Sequence, residues 1–104
     1  MTAFAAAIDV LFADPNLAED AVYRAGGADP GFPVRVILRR PDRISEFGET
    51  RIVAGIVAID VRVSEVATPA ESDTIEADGI VYVIQGEPIR DAERLVWTIE
   101  AQPL

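Results

Sequence analysis

The sequence contains no cysteine and no histidine, and all nine of its basic residues are arginine. The missing cysteine excludes disulfides, thiolate nucleophiles and zinc sites of the cysteine type. The missing histidine excludes the most frequent metal ligand and the commonest general base near neutral pH. Without histidine or lysine, no serine has the usual partner that would activate it as a nucleophile. We therefore expect no catalytic residue, no metal site and no cofactor.

Long apolar runs are also missing. No run approaches the roughly 20 residues that a membrane-spanning helix needs, and the N-terminus lacks the basic flank of a signal peptide. These two absences predict a soluble protein that contacts no membrane and is not exported through a signal peptide.

The charge balance is strongly acidic. Eighteen acidic residues against nine arginines give a formal net charge of −9. Such a charge repels nucleic acid, which argues against ordinary DNA binding. Two explanations for the use of arginine alone stay open: a GC-rich genome, or the suitability of arginine for bidentate ion pairs across an interface.

The N-terminal segment, residues 1–20, is predicted to be helical. Residues 2–13 are rich in alanine, and the helix is expected to end near Asp14 because Pro15 disfavours helical backbone before it. The apolar residues at helical spacing are Phe4, Ile8, Leu11 and Phe12. Two interpretations stay open: the helix covers an open face of a sheet, or this short helix becomes ordered only when a partner binds.

Residues 21–104 are predicted to form one β domain. A chain of this length buries about 60 to 70% of the surface exposed by its unfolded form. Asp78 and Gly79 mark a tight hairpin turn, and a bulge or bend is expected at Gly55. The fold class is mainly β, a small antiparallel β-sandwich or barrel with a short N-terminal α-helix. The predicted strands cover residues 21–24, 32–40, 50–63, 74–76, 80–84, 88–90 and 94–100. In the second of these strands, one predicted face is aliphatic, with Val34, Val36 and Leu38, and the other is mostly polar, with Arg35, Ile37 and Arg39.

A loop of mixed charge follows the second predicted strand, from Arg40 to Glu49. One interpretation is a solvated loop that tucks Ile44 and Phe47 onto the core. The other is a docking surface, because arginine and aromatic residues are enriched among the residues that dominate interface energy. The candidate interface residues are Phe4, Ile8, Arg39, Arg40, Asp42, Arg43, Glu46 and Phe47.

Two other kinds of site are weakly suggested. Four acidic residues between Glu71 and Asp78 suggest a calcium loop, but their spacing does not match an EF-hand, and a plain acidic hairpin explains them equally. Gly26 and Gly27 do not lead into a helix with a following lysine, so they do not form a phosphate-binding loop.

Six parts of the sequence together form a recognisable pattern: Phe4 to Pro15, Pro33 to Ile37, Phe47 to Arg51, Asp73 to Glu76, Gly86 to Asp91, and Trp97. They resemble the head-tail joining proteins of tailed phages. The likeness covers nearly the whole chain, and relatives of this kind are encoded in prophages and gene transfer agents. One departure is Ser72, where the family pattern leads us to expect a glycine before Asp73.

The resemblance implies a structural protein of the virion neck, assembled in the bacterial cytoplasm. It implies a hexameric ring, formed from a chain that is monomeric before docking, between the portal-adaptor complex and the tail terminator or tail-tube proteins. Genome DNA would pass through the ring without specific binding; the acidic charge would line its lumen or serve solubility alone. The alternative function is a small β-barrel module that binds a peptide or an oligosaccharide.

Overall fold

The computed structural model describes residues 3–39 and 56–104. Across these two ranges no helix is both long and apolar enough to span a membrane. A single 3-10 turn, Ala25–Gly27, follows the first strand. The helix and strands are α1 (Ala3–Ala13), β1 (Glu19–Arg24), β2 (Phe32–Arg39), β3 (Val57–Arg62), β4 (Thr74–Ala77), β5 (Ile80–Arg90) and β6 (Val96–Pro103).

The six strands form a closed antiparallel barrel in the order β1-β2-β3-β6-β5-β4. Closure is completed by β1 and β4, where Ala21 pairs with Ala77 and Tyr23 pairs with Ile75. Every described strand therefore has a neighbour on both sides, which leaves none of them with a free edge. The predicted mainly β fold with a short N-terminal helix is confirmed, as a barrel.

The core follows from the alternation of side chains along each strand. Val57, Ile59 and Val61 of β3 are buried, and the residues between them are only partly buried. The predicted inward face of β2 is confirmed, because Val34 and Val36 are buried. The other members of the core come from all the remaining strands and from one loop residue: Ala21, Tyr23, Val66, Ile75, Ala77, Tyr82, Ile84, Ile99 and Ala101.

The two predicted features of the β4 to β6 meander have different outcomes. The turn between β4 and β5 is confirmed, since Asp78 and Gly79 both have positive φ angles, of 54° and 79°. The predicted break at residues 85–87 is wrong, because β5 continues through it to Arg90. The pairing with β6 only shifts register between Gln85 and Ile89. A β-bulge of this kind absorbs extra residues without ending the strand.

Asp73 links strand β1, the 3-10 turn and its own connection beside the barrel core. Its carboxylate accepts hydrogen bonds from the Tyr23 hydroxyl, from the Gly26 backbone N–H at 2.7 Å and from the Ala70 backbone N–H at 3.1 Å. The preceding residue, Ser72, has a φ of 82°. A glycine adopts this left-handed backbone at lower cost, which is a physical reason to expect glycine at this position.

The antiparallel pairing gives the barrel two distinct ends. We call one the hairpin end; it carries residues 25–31, the connection 63–73 and the β5–β6 turn at 91–95. We call the other the loop end; here β2 ends at Arg39, β3 begins at Val57, and the turn at 78–79 lies. The strands that separate the ends rise about 3.3 Å per residue.

Candidate docking surfaces

Helix α1 lies outside the barrel and is held there by Phe12. This is the one buried side chain of α1, at 2% exposure, and it does not belong to the barrel core. The guanidinium of Arg62 lies 5.3 Å from the centre of the Phe12 ring. Arg35 donates from Nε to the Phe12 backbone carbonyl at 2.9 Å. Phe12 therefore anchors the helix, with its ring against Arg62 and its backbone carbonyl bonded to Arg35.

Arg35 and Arg62 form what we call the arginine clamp. They occupy outward positions on β2 and β3, one step beyond the pair Val36 and Val61. The guanidinium of Arg62 pairs with Asp9 of the helix at 3.0 Å and with Glu65 at 3.1 Å. These acidic partners balance two arginines that would otherwise repel each other across the strands.

Arg35 also contacts the residues that connect α1 to β1 and the start of β1. Its Nη1 pairs with the Asp20 carboxylate at 2.9 Å, and its Nη2 donates to the Ala18 carbonyl at 3.0 Å. Its backbone N–H donates to the Glu65 carboxylate at 3.0 Å. The sequence indicated only that Arg35 faces outward on its strand; the partners come from distant parts of the chain and were not predicted.

The outer surface of α1 is apolar and without charge. Phe4, Val10 and Leu11 are 61%, 68% and 44% exposed. Asp9 is the single charged residue of the helix, and Arg62 engages it. A contiguous exposed apolar surface on a small acidic protein is typical of a protein-binding site.

Two grooves lie at the hairpin end. The first, which we call the helix groove, has a volume of about 300 Å³ and runs between α1 and the β5–β6 turn. Its apolar lining includes Ile8, Val63 and Leu95, and its charged lining includes Arg62 and Arg94. Ile8 of the candidate set therefore faces the barrel side of α1.

The second groove, which we call the tryptophan groove, has a volume of about 410 Å³. Pro69, Pro88 and Trp97 line it together with the acidic Glu71 and Glu87. The indole is fixed in place, because its Nε1 donates to the Val66 carbonyl at 2.9 Å. The guanidinium of Arg90 lies 5.2 Å from the ring centre.

The candidate residues from the sequence do not form one cluster. Phe4 and Ile8 belong to α1, and Ile8 contributes to a groove at the hairpin end. Arg39 is exposed at the loop end and donates from Nη2 to Asp60 at 2.8 Å. The remaining candidates lie outside the described residues: Arg40, Asp42, Arg43, Glu46 and Phe47.

Two titratable groups are shifted by their surroundings. Burial, and then the hydrogen bond to Asp73, raises the pKa of Tyr23 above its usual value near 10. Hydrogen bonds from the backbone N–H groups of Val96 and Leu95, the first being the larger cause, lower the pKa of Asp91. Both shifts accompany structural hydrogen bonds. Among residues 3–39 and 56–104 no group of three acidic side chains is placed to hold a metal ion.

A comparison with known protein families gives a match over nearly the whole chain. The sequence model of the family described as Phage Head-Tail Attachment protein matches residues 1–101 of the chain. No curated protein and no solved structure matches it. The chain therefore belongs to the phage head-tail attachment protein family, structural proteins of the virion that act with components of the head and the tail to join them.

Proposed function

We propose that this protein is a ring component of the phage neck, placed between the portal-adaptor complex and the tail. The observation that carries the proposal is the position of its two candidate docking segments. Helix α1 borders the hairpin end through the helix groove. Strand β2 ends at Arg39 at the loop end and leads into the segment with Arg40, Arg43 and Phe47, which lies outside the described residues. A protein that joins two structures needs one contact surface for each.

The two surfaces differ in chemistry, which suits two different partners. The outer face of α1 is apolar, so its partner is an apolar groove that accepts a helix. The loop end carries Arg39 and leads into a segment with three further arginines, Arg40, Arg43 and Arg51. Its partner is a surface with exposed carboxylates, because arginine pairs with carboxylate in a bidentate geometry.

The acidic charge supports passage of DNA through such a ring. Each copy carries a formal charge of −9, so a ring of copies repels phosphate and holds no DNA on its wall. Positively charged side chains lining the lumen of an assembled ring would contradict this part of the proposal.

The experiment is an in vitro joining assay. Purified protein is added to a lysate that contains filled heads and finished tails but lacks this protein, and joined particles are counted. We expect joining to rise with the amount of folded protein added. No rise with the folded protein present would refute the neck role.

Variants then separate the two surfaces. Phe4→Ser with Leu11→Ser should abolish joining, whereas Ile89→Ser, which changes a side chain that is 69% exposed away from α1, should join normally. Arg40→Ala, Arg43→Ala and Phe47→Ala combined should also abolish joining. The two sets should stall at different stages, one with protein bound to heads alone and the other with protein bound to tails alone. Normal joining by both sets would refute the assignment of these surfaces.

A further inference from the structure

Arg94 stands apart from the other arginines of the described segments. Within residues 3–39 and 56–104 each of the others forms an ion pair or stacks on an aromatic ring, and Arg94 does neither. It is exposed at the turn between β5 and β6, with a φ of 61°. In a chain with twice as many acidic as basic residues, an exposed arginine without a carboxylate partner is available to another molecule.

The turn holds Arg94 in a fixed position. The Asp91 carboxylate accepts hydrogen bonds from the backbone N–H groups of Leu95 and Val96, at 2.8 and 2.9 Å. The backbone N–H of Arg94 donates to the Asp91 carbonyl at 3.0 Å. A turn ordered by its own hydrogen bonds loses little entropy when it inserts into a partner.

The tryptophan groove has the complementary chemistry. Glu71 and Glu87 are exposed, and neither forms an ion pair in the described part of the chain. Pro69, Pro88 and Trp97 provide an apolar lining. An arginine side chain fits such a site, because its aliphatic stem packs on apolar rings while its guanidinium pairs with carboxylate. Arg90, which already stacks on this indole, shows that the ring accepts a guanidinium.

Both features lie at the same end of the barrel but on different flanks of the β5–β6 hairpin. Arg94 borders the helix groove next to Ser64 and Leu95. The tryptophan groove lies between residues 69–71 and the bulge at 86–88. Copies related by a rotation about an axis parallel to the barrel axis have the two features at the same height along that axis. Repeating the contact therefore closes a ring. Complementary patches at opposite ends would stack copies into a filament instead.

We propose that the β5–β6 turn of one copy inserts Arg94 into the tryptophan groove of the next copy, where it pairs with Glu71 and Glu87. The contact would be the head-to-tail interface between neighbouring copies of the ring. Its biological role rests on the proposed function. Glu93, next to Arg94 in the turn, faces the same carboxylates with like charge. Glu93→Gln should therefore strengthen the contact between copies.

The absence of cysteine allows a direct test by disulfide crosslinking. Two single-cysteine variants that keep Arg94, Glu71 and Glu87 are made, Ala92→Cys in the β5–β6 turn and Ala70→Cys in the lining of the tryptophan groove, and are oxidised separately and as a mixture. The mixture should give crosslinked dimers, and each variant alone should give none, because a head-to-tail contact brings different residues together. The matched control is Gln102→Cys, an exposed position at the loop end, mixed with Ala92→Cys. We expect at least tenfold less crosslinked product from this control.

The crosslinking is carried out at high protein concentration and again in joined particles. Equal yields from the test and control mixtures in both settings would overturn the contact, as would dimers from one variant alone, which indicate a two-fold interface. Failure of wild-type protein to join heads and tails would refute the proposed function instead, and the yields in solution would then decide the contact by themselves.

Charge reversal provides an independent readout. Arg94→Glu should weaken self-association about tenfold, and combining it with Glu71→Arg and Glu87→Arg should restore it. Self-association is measured by sedimentation, with the fluorescence of Trp97, the one tryptophan of the chain, as a check of the fold. Equal weakening in the reversed and the restored variants would contradict the pairing.

Discussion

The barrel and the helix of this small protein are held by different kinds of interaction. The barrel encloses a continuous apolar core whose centre, including Val36, Ile59 and Ile99, has no exposed surface. Helix α1 is attached through the aromatic ring of Phe12 and through the polar contacts of Arg62 and Arg35. The barrel therefore depends on the hydrophobic effect, whereas the helix depends on a few polar contacts around a single anchor.

This difference suits a connector. Phe12 lies outside the core cluster, so we expect the barrel to keep its shape without the helix. The helix meanwhile exposes an apolar face that a more complete packing against the barrel would have buried. A rigid body with a lightly attached docking element can adapt to a partner without loss of its own fold.

The largest effect should come from the barrel core. Ile59→Ala removes a fully buried side chain and should lower the free energy of unfolding by about 3–4 kcal/mol. Urea denaturation followed by Trp97 fluorescence measures it. The control Ile89→Ala, at a position that is 69% exposed, should change stability by less than about 0.5 kcal/mol. Similar losses at both positions would contradict the assignment of the core.

A smaller and more local effect is expected at the helix anchor. Phe12→Ala should reduce stability by about 2 kcal/mol, because the ring is buried outside the barrel core. Helical circular dichroism should fall while the Trp97 fluorescence stays native. A simultaneous loss of both signals would show that the helix and the barrel unfold as one unit, which would break the comparison between them.

Alkaline pH tests the hydrogen bond between Tyr23 and Asp73, next to the barrel core. The folded state holds the pKa of Tyr23 above its usual value near 10, so the unfolded chain loses this proton first. Stability should be unchanged below pH 10 and should fall above it by up to about 1.4 kcal/mol per pH unit. Tyr23→Phe should reduce this slope. An equal slope in the variant would assign the pH dependence to other groups.

The smallest effect should come from the ion pair of the helix. Asp9→Asn breaks the pair with Arg62 and should cost about 0.5 kcal/mol, since the carboxylate is half exposed. High salt should reduce helix attachment in the wild type and have less effect in the variant. Asp78→Asn removes the same charge from an exposed turn and serves as the control. If Asp78→Asn lowered stability as much as Asp9→Asn, the effect would come from the change in net charge and not from the ion pair.

Local patterns explain which parts of the structure were predictable. The turn at Asp78 and Gly79 was predicted because these residues adopt positive φ at low cost. The inward face of β2 followed from strict alternation. The continuity of β5 was not predictable, because Gly86 and Pro88 are residues that typically end a strand. The pairing with β6 keeps the strand intact.

The docking surfaces were harder to predict than the fold. The helical spacing identified Phe4 and Ile8 as apolar residues of one helix face, but it could not tell which of them the barrel would cover. The tryptophan groove joins residues from positions 69–71 and 86–88, and no pattern within either segment indicates that they meet. Sites built from distant segments depend on the packing of the whole chain.

By itself the sequence determined the class of the fold, the acidic charge, the chemistry that the protein lacks and the likeness to its family, because each of these depends on residue types and on spacings of a few positions. The tertiary structure decided that the sheet closes between β1 and β4, that Arg62 reaches Asp9, and that Arg94 at the hairpin end forms no ion pair within residues 3–39 and 56–104. These contacts join residues far apart along the chain, and the free energy that selects them belongs to the packed barrel, not to any local segment.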